Sequence, residues 1–261
     1  MNRVNEADFP GIKRGNYDII SKFPIINAVI SNEQHGFVYS DNNRENTFIC
    51  SKFGWSLFLN EDSTKIDKCF EFLRTNSEIP DYIHLYPPNS AFINYVKINW
   101  PKFKTRERCQ LRYLKRLKTD NCEIKLLSGF SLINIQDINF SKLDAFKLDL
   151  DNRYWHSKDD FMRNAIGACI VNSENEPVAI CYSVCIVDSI AEVDILVLPE
   201  FRNFFFGRIV SEAFLKLTIE KGVIAHWDTF TSNTPSLQLA IKSGYKRINV
   251  YELISVFLRD W

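Results

Sequence analysis

The stretch that decides the fold is VLPEFRNFFFGRIVSEAF, Val197 to Phe214. It runs as a strand into Pro199, turns over Glu200 to Arg202 and opens a helix near Gly207. A strand that feeds a tight turn and then a helix start is a common anion site, because the first helical N–H groups are unpaired and the helix dipole favours negative charge. Such turns usually carry several glycines, and this one carries Phe204, Phe205 and Phe206. Backbone N–H donors survive any side chain except proline, so three phenylalanines do not abolish a phosphate cradle. What Phe205 forgoes is glycine's access to positive φ and its room for close approach. If that position is already helical the cost is small.

Working outward, the segment GACIVNSENEPVAICYSVCIVDSIAEVDILVLP, Gly167 to Pro199, is cut by the polar residues Ser173 to Glu176 and by Asp188-Ser189 into three strands of an antiparallel meander. A helix over about Gly207 to Lys221 follows, then the strand VIAHWDTF, a helix opened by SNTPS and a last strand KRINVYELISVFL. Ser232 or Asn233 suits the N-cap of that second helix, Pro235 its first turn and Gly244 its stop. Upstream, EIKLLSG (Glu123 to Gly129) reads as a strand, with helical segments around Ser141 to Leu148 and Asp159 to Arg163. The first part of the chain, from about Tyr17 to Tyr113, reads as short strands (GFVYS, NTFICSK, WSLFLN) and a helix with Ile66, Phe70 and Leu73 at helical spacing. Arg112, Lys115, Arg116 and Lys118 then crowd ahead of a polar turn, either as a solvated connector or as a docking site for a polyanion. The domain boundary is placed there, giving an α+β domain over 1–119 and a second domain over 120–261.

With 32 basic and 32 acidic residues the formal net charge is zero, which gives no long-range field toward nucleic acid or an anionic membrane. The seven cysteines, at 50, 69, 109, 122, 169, 181 and 185, form no CxxC pair and sit mostly among apolar neighbours. Buried thiols in a reducing cytoplasm fit that pattern better than a disulfide frame. The N-terminal residues are polar, with no apolar signal core, and no run reaches the roughly 18 apolar residues of a membrane span.

Two spaced signals in the second half resemble the GNAT (GCN5-related N-acetyltransferase) superfamily. The first is the acyl-CoA pyrophosphate loop R/Q-x-x-G-x-G/A, matched by Arg202, Asn203, Phe204, Phe205, Phe206 and Gly207, with Phe205 in place of the middle glycine. The second is N-x-x-S/A-x-x-L-x-x-K-x-G-F/Y, matched by Asn233, Ser236, Leu239, Lys242, Gly244 and Tyr245, with Ala240 where many members have a tyrosine that protonates the departing thiolate. The wording HWDTFTSNTPSLQLAIKSGY, with NAVI and GFVYSDN near the N-terminus, resembles the branch that holds the zwittermicin-type self-resistance acetyltransferases.

The resemblance implies an α/β (α+β) chain: a C-terminal GNAT fold with a mixed, mainly antiparallel sheet flanked by helices, plus a smaller α+β domain. That smaller domain has a degenerate copy of the same fold as its alternative, as in transferases that use aminoacyl-tRNA, though zero net charge argues against a tRNA partner. It further implies acetyl-CoA as cosubstrate, no metal, and a small-molecule amine as acceptor, with no nucleic acid or membrane partner, in a monomer or homodimer. Acetyl-CoA would meet the Arg202 to Gly207 turn with Arg208, the backbone of Leu196 and Val197, and Asn233 with Ser236.

In AEVDILV, strand alternation puts Glu192 and Asp194 on one face, roughly 6–7 Å apart. Burial and mutual repulsion raise the proton affinity of such a pair, which suits a base that acts on an ammonium group. Glu192 also falls where histone-acetylating members of the superfamily carry their glutamate base. Glu192 is therefore the expected base and Asp194 an ammonium-binding group; carboxylates at a wet strand end, or paired with arginine, are the structural alternative. Tyr245, Tyr182, Ser236 and His226 are candidate acids, or none is needed. Trp227 and Asp228 are expected in the acceptor pocket, with plain core as the other reading of Trp227. The alternative function is a catalytically silent CoA-binding or interaction module, favoured by Phe205 and Ala240.

Overall fold

A computed structural model describes residues 1–59, 66–100, 102–114 and 125–258, the side chains of 151 and 152 excepted. It divides into two compact units, Met1–Arg108 with Val250–Trp261, and Cys109–Asn249. The boundary expected near Thr119 to Asn121, and most of the basic run before it, lie outside the described residues. The observed division differs from a single cut after 119, because the last strand returns to the first unit.

The first unit opens with β1 (Asn2–Arg3) and the short helices α1 (Phe9–Gly15), α2 (Tyr17–Ile20) and α3 (Pro24–Ile30). The strands β2 (Gly36–Ser40), β3 (Thr47–Ser51) and β4 (Trp55–Leu59) form an antiparallel meander. A crossover through α4 (Ile66–Thr75) brings β5 (Tyr82–Tyr86) parallel to β4, and α5 (Ser90–Asn99) follows. In α4 the residues Ile66, Cys69, Phe70 and Leu73 recur every three or four positions and are all buried, so one stripe faces the core with Phe48, Phe58 and Ile83. The strand β6 (Lys104–Arg112) then leads into the second unit.

The second unit repeats that order. After β7 (Phe130–Asn134) and the helices α6 (Leu150–Arg153) and α7 (Lys158–Asn164) come β8 (Gly167–Asn172), β9 (Pro177–Val187) and β10 (Ile190–Val197), an antiparallel meander. Asp188 and Ser189, both at positive φ, make the tight hairpin between β9 and β10 that matches the twist of the strands. A parallel partner for β10 needs a crossover, which α8 (Phe206–Glu220) supplies before β11 (Ile224–Phe230). Its stripe of Phe206, Ile209, Val210, Phe214 and Leu215 packs on β8, β9 and β10. Next is α9 (Thr234–Lys242), capped by Asn233, whose side chain accepts from the Ser236 N–H, with Pro235 in its first turn and Gly244 at φ +94 just beyond it.

The final strand β12 (Lys246–Phe257) ends in the first unit, where Ile254–Phe257 pairs with β5; β6 ends in the second, beside β11. Strand β7 is a correction to the sequence reading. Among residues 123–129 those described are not strand; Gly129 turns at φ +84 and pairing starts at Phe130, whose register is set by Asn172 of β8. Among the described residues no helix is long and apolar enough to cross a membrane, and six cysteines are buried free thiols.

Candidate active site

The site begins where two parallel strands part. β10 and β11 pair from Ile190↔Ile224 to Glu192↔His226, yet β10 continues to Val197 and β11 to Phe230. A strand inside a sheet normally buries its side chains, but Asp194 to Val197 are all partly exposed. The exposure marks an opening along the β11 side of β10.

Alternation assigns the two faces. Ala191, Val193, Ile195 and Val197 join the core that α8 covers, so Glu192 and Asp194 face the other way, as the sequence pattern implied. Glu192 is buried and its Oε2 is hydrogen-bonded to His226 Nδ1. Asp194 accepts from the Tyr182 hydroxyl at 3.0 Å and from the Ile195 N–H at 2.8 Å. Burial raises the Asp194 carboxyl, against the opposing pull of those two donors and of the Arg153 guanidinium. Tyr182, its cross-strand partner, is raised well above the usual phenol range, by burial first and then by the Asp194 charge. On the same side Phe161 meets Tyr182 edge-on at 6.0 Å, and Trp155 donates its indole N–H to Ser183 O at 3.3 Å. Tyr154 lies under the Arg153 guanidinium, 4.9 Å from its ring centre, and is raised by burial and by the charges of Asp194 and Glu192. Behind the end of β10, Glu192 and Asp194 thus lie against the buried phenols Tyr154 and Tyr182 and the Arg153 guanidinium, and Asp194 is the partly exposed carboxylate that can meet an ammonium group.

At the mouth, Pro199–Phe201 form a 3₁₀ turn and α8 starts at Phe206. Arg208 and Ile209 make the first helical bonds, both to Phe205 O, which leaves the N–H groups of Phe206 and Gly207 ahead of the helical ladder. A Cβ on Gly207 would lie 3.3 Å from Leu239 Cδ2 and 3.5 Å from Val197 Cγ2, so this glycine lets α8 seat closely against the end of β10 and against α9. Phe205 is not helical. It sits at φ 61 and ψ 8, in the left-handed region, with Asn203 also at φ 71. The glycine of the family loop is explained by that conformation, and Phe205 adopts it at a cost in strain. Phe204 and Phe205 are 47% and 69% exposed, whereas Phe206 is core, 4.8 Å from the Phe130 ring. Arg208 is engaged with Glu212 at 2.7 Å.

Other expected residues divide between cleft and core. Asp228 is partly exposed on β11 past the last strand pair, on the His226 face. Trp227 takes its core alternative: it is 2% exposed and donates to Ser236 Oγ at 3.1 Å. Tyr245 is 1% exposed, edge-on to Trp227 at 5.3 Å, and burial raises its phenol well above the usual range, so it packs rather than lining the opening. Ala240 is fully buried in the same core. The residues the sequence reading missed are Arg153 and Tyr154. Arg153 ends the short helix α6 and Tyr154 follows it, a segment with no periodic signal.

Solved structures share this architecture. A GCN5-related N-acetyltransferase-like protein from Streptococcus suis 89/1591 superposes with a TM-score of 0.70 at 15% identity, over 96% of this chain and 99% of its own. One from Sphaerobacter thermophilus gives 0.66 at 8% identity, over 99% and 95%. A tandem GNAT protein from the clavulanic acid biosynthesis pathway gives 0.64 at 8% identity, over 98% of each chain. A family profile described as GNAT acetyltransferase matches residues 20–254. The chain belongs to the GNAT acetyltransferase family. It is also 28% identical over 130 residues to the uncharacterized N-acetyltransferase YdfB of Bacillus subtilis (strain 168), half of this chain and 49% of that relative's length.

Proposed function

We propose that this chain transfers an acetyl group from acetyl-CoA to an amine of a small molecule. The observation that carries the reading is the parting of β10 from β11 directly after Glu192↔His226, with the start of α8 against the end of β10. The N–H groups of Phe206 and Gly207 meet the pyrophosphate, Arg202 adds charge, and the backbone of β10 near Leu196 and Val197 holds the thioester. The remaining residues expected to contact acetyl-CoA (Asn203 to Phe205, Arg208, Asn233 and Ser236) act through the shape of that turn and the start of α9. Asp194 and Asp228 bind the ammonium form of the acceptor. The ammonium first gives one proton to Glu192; the freed lone pair forms the C–N bond to the thioester carbonyl as the C–S bond breaks, and the second nitrogen proton neutralises the departing CoA thiolate, directly or through water. The wording shared with the zwittermicin-type branch makes amino-bearing antibiotics the first acceptors to screen. A binding-only module is the second reading, favoured by Ala240, which puts no hydroxyl where many members protonate the thiolate.

Calorimetric titration with acetyl-CoA tests the site. Arg202→Ala should weaken binding by about 1–3 kcal/mol, the value of a charge-assisted hydrogen bond. No heat and no thermal shift for the wild type at millimolar ligand would remove the proposal.

A further inference from the structure

His226 is 0% exposed, and its two ring nitrogens have different surroundings. Nδ1 meets Glu192 Oε2, whereas Nε2 is buried with no hydrogen-bond partner among the described residues. That asymmetry selects a protonation state. An imidazolium would carry an N–H at Nε2 with nothing to accept it, and a buried unpaired donor on a cation is costly. The neutral Nε2–H tautomer has the same orphan donor and also turns a lone pair toward the carboxylate. Only the neutral ring with its proton on Nδ1 leaves every N–H satisfied.

Placement gives the pair a task. Glu192↔His226 is the last strand pair before the opening, so the imidazole braces the carboxylate from within the sheet. The groups around it come from every neighbouring element. On β9, Cys185 is the cross-strand partner of Glu192. On β10, Asp194 shares the Glu192 face, and from the end of α6 Tyr154 and Arg153 bear on both carboxylates' surroundings. On β11, Asp228 shares the His226 face. On β6, Cys109 and Leu111 belong to the core that holds Trp227, so Gln110 and Arg112 fall by alternation on the His226 face. Tyr245 senses the Glu192 charge as well.

We propose that His226 is a positioning residue for acetyl transfer: its Nδ1–H orients the Glu192 carboxylate and holds it ionised, so that the proton leaving the acceptor amine goes to Glu192. This rests on the acetyl-transfer reading of the cleft, and two measurements keep the two apart. The first needs no turnover. The chain has four histidines, so ¹⁵N-histidine labelling gives a spectrum in which each ring can be assigned with single variants. His226 should carry its ring proton on Nδ1 in the neutral tautomer, and Glu192→Gln should move its Nδ1–H resonance. An Nε2–H tautomer, or an Nδ1–H resonance that Glu192→Gln leaves in place, would overturn the proposal whatever the activity.

The second compares His226→Leu with His226→Asn, whose amide can offer an N–H near the place of Nδ1. With a responsive amine, the Leu variant should lose about tenfold to a hundredfold in kcat/KM, the loss for a hydrogen bond to a charged group. Its acid limb should move up by about one pH unit or more, and Asn should restore most of both, with acetyl-CoA affinity kept throughout. A folded, ligand-binding Leu variant with the wild-type pH profile would overturn the positioning role. Wild-type protein that turns over no amine while its Nδ1–H resonance behaves as described would overturn acetyl transfer and leave the Glu192–His226 pairing standing.

Discussion

The two units build the same strand, crossover, parallel strand and put opposite chemistry at the end of it. β4 and β5 pair from Trp55↔His84 to Leu57↔Tyr86, as β10 and β11 pair from Ile190↔Ile224 to Glu192↔His226. At the last pair the first unit has Leu57 and Tyr86, with Tyr86 stacked on Phe23 at 4.1 Å and beside Trp55 at 5.7 Å. The second has a carboxylate and an imidazole. Beyond it the described residues of β4 are Phe58 and Leu59, both buried, while β10 adds five residues of which four are partly exposed. A parallel pair can thus be sealed by rings or opened as a cleft, and the side chains at the parting point decide which. In the proposed reading the second unit carries the chemistry, and the first uses the equivalent position for packing.

The largest expected effect breaks that contrast at Glu192. Glu192→Gln keeps size and most hydrogen bonding but removes basicity, so acetyl-CoA binding should persist while turnover falls roughly 10²- to 10⁴-fold. Release of CoA thiol across a panel of amines reads it. Wild-type rates in the variant at every pH would move the proton to solvent, Asp194 or Asp228. At the matching place in the first unit, Leu57→Ala should act on stability instead. Removing a fully buried leucine costs about 2–5 kcal/mol in urea unfolding, with kcat of the folded fraction unchanged. A selective loss of turnover there would mean that the sealed pair also serves catalysis.

Sequence was informative where structure is local. The meander, α8, α9 with its Asn233 cap, and the shared face of Glu192 and Asp194 all follow from periodicity and turn residues, because each is set within a dozen residues. The contact of Glu192 with His226 is not local: the two are 34 residues apart and meet only through the parallel register across α8. Tyr182 reaches Asp194 through a hairpin register that shifts at Glu192/Val193, which alternation alone does not reveal. The return of β12 to β5 depends on a partner more than 160 residues away in sequence, as in the His84–Ser255 bond with its separation of 171. The backbone of Phe205 was unreadable for another reason. Phenylalanine disfavours the left-handed region, so propensity pointed away from the conformation the turn imposes.

A smaller effect separates Asp194 from its β4 counterpart, Leu59, two residues past the last pair in each unit. Burial raises Asp194, so the folded state holds its proton more tightly than the unfolded chain does. The sign follows from linkage: that contribution is fully present below the unfolded value of about 3.9 and is lost as pH rises through the higher folded value. Asp194→Asn keeps an oxygen for the Tyr182 hydroxyl and removes the ionisation. The variant should therefore be more stable than wild type at neutral pH, with the difference shrinking as pH falls toward 4 in urea unfolding. A variant less stable at neutral pH would show that the Arg153 charge outweighs burial. Leu59 carries no such dependence.

The smallest effect concerns how each unit handles positive φ. In the first, Gly54 turns at φ +82 where a Cβ would stand 2.3 Å from Tyr82 O, so only glycine fits. In the second, Phe205 turns at φ 61 with its side chain 69% exposed, so the cost is backbone strain alone. Relieving that strain is worth about 1–2 kcal/mol, and glycine's extra freedom in the unfolded chain takes back about 0.4–1. Phe205→Gly should then raise stability by up to about 1.6 kcal/mol in urea unfolding. Since the N–H groups of Phe206 and Gly207 are untouched, acetyl-CoA affinity should change by less than about tenfold. A larger loss would mean that the exposed ring itself touches the ligand, and that the strain is kept for binding. A larger gain would mean that the ring obstructs the cradle, and would shift weight to the binding-only reading. No change in stability would show that the turn, unlike the one at Gly54, is held in the left-handed region by its neighbours whatever residue occupies it.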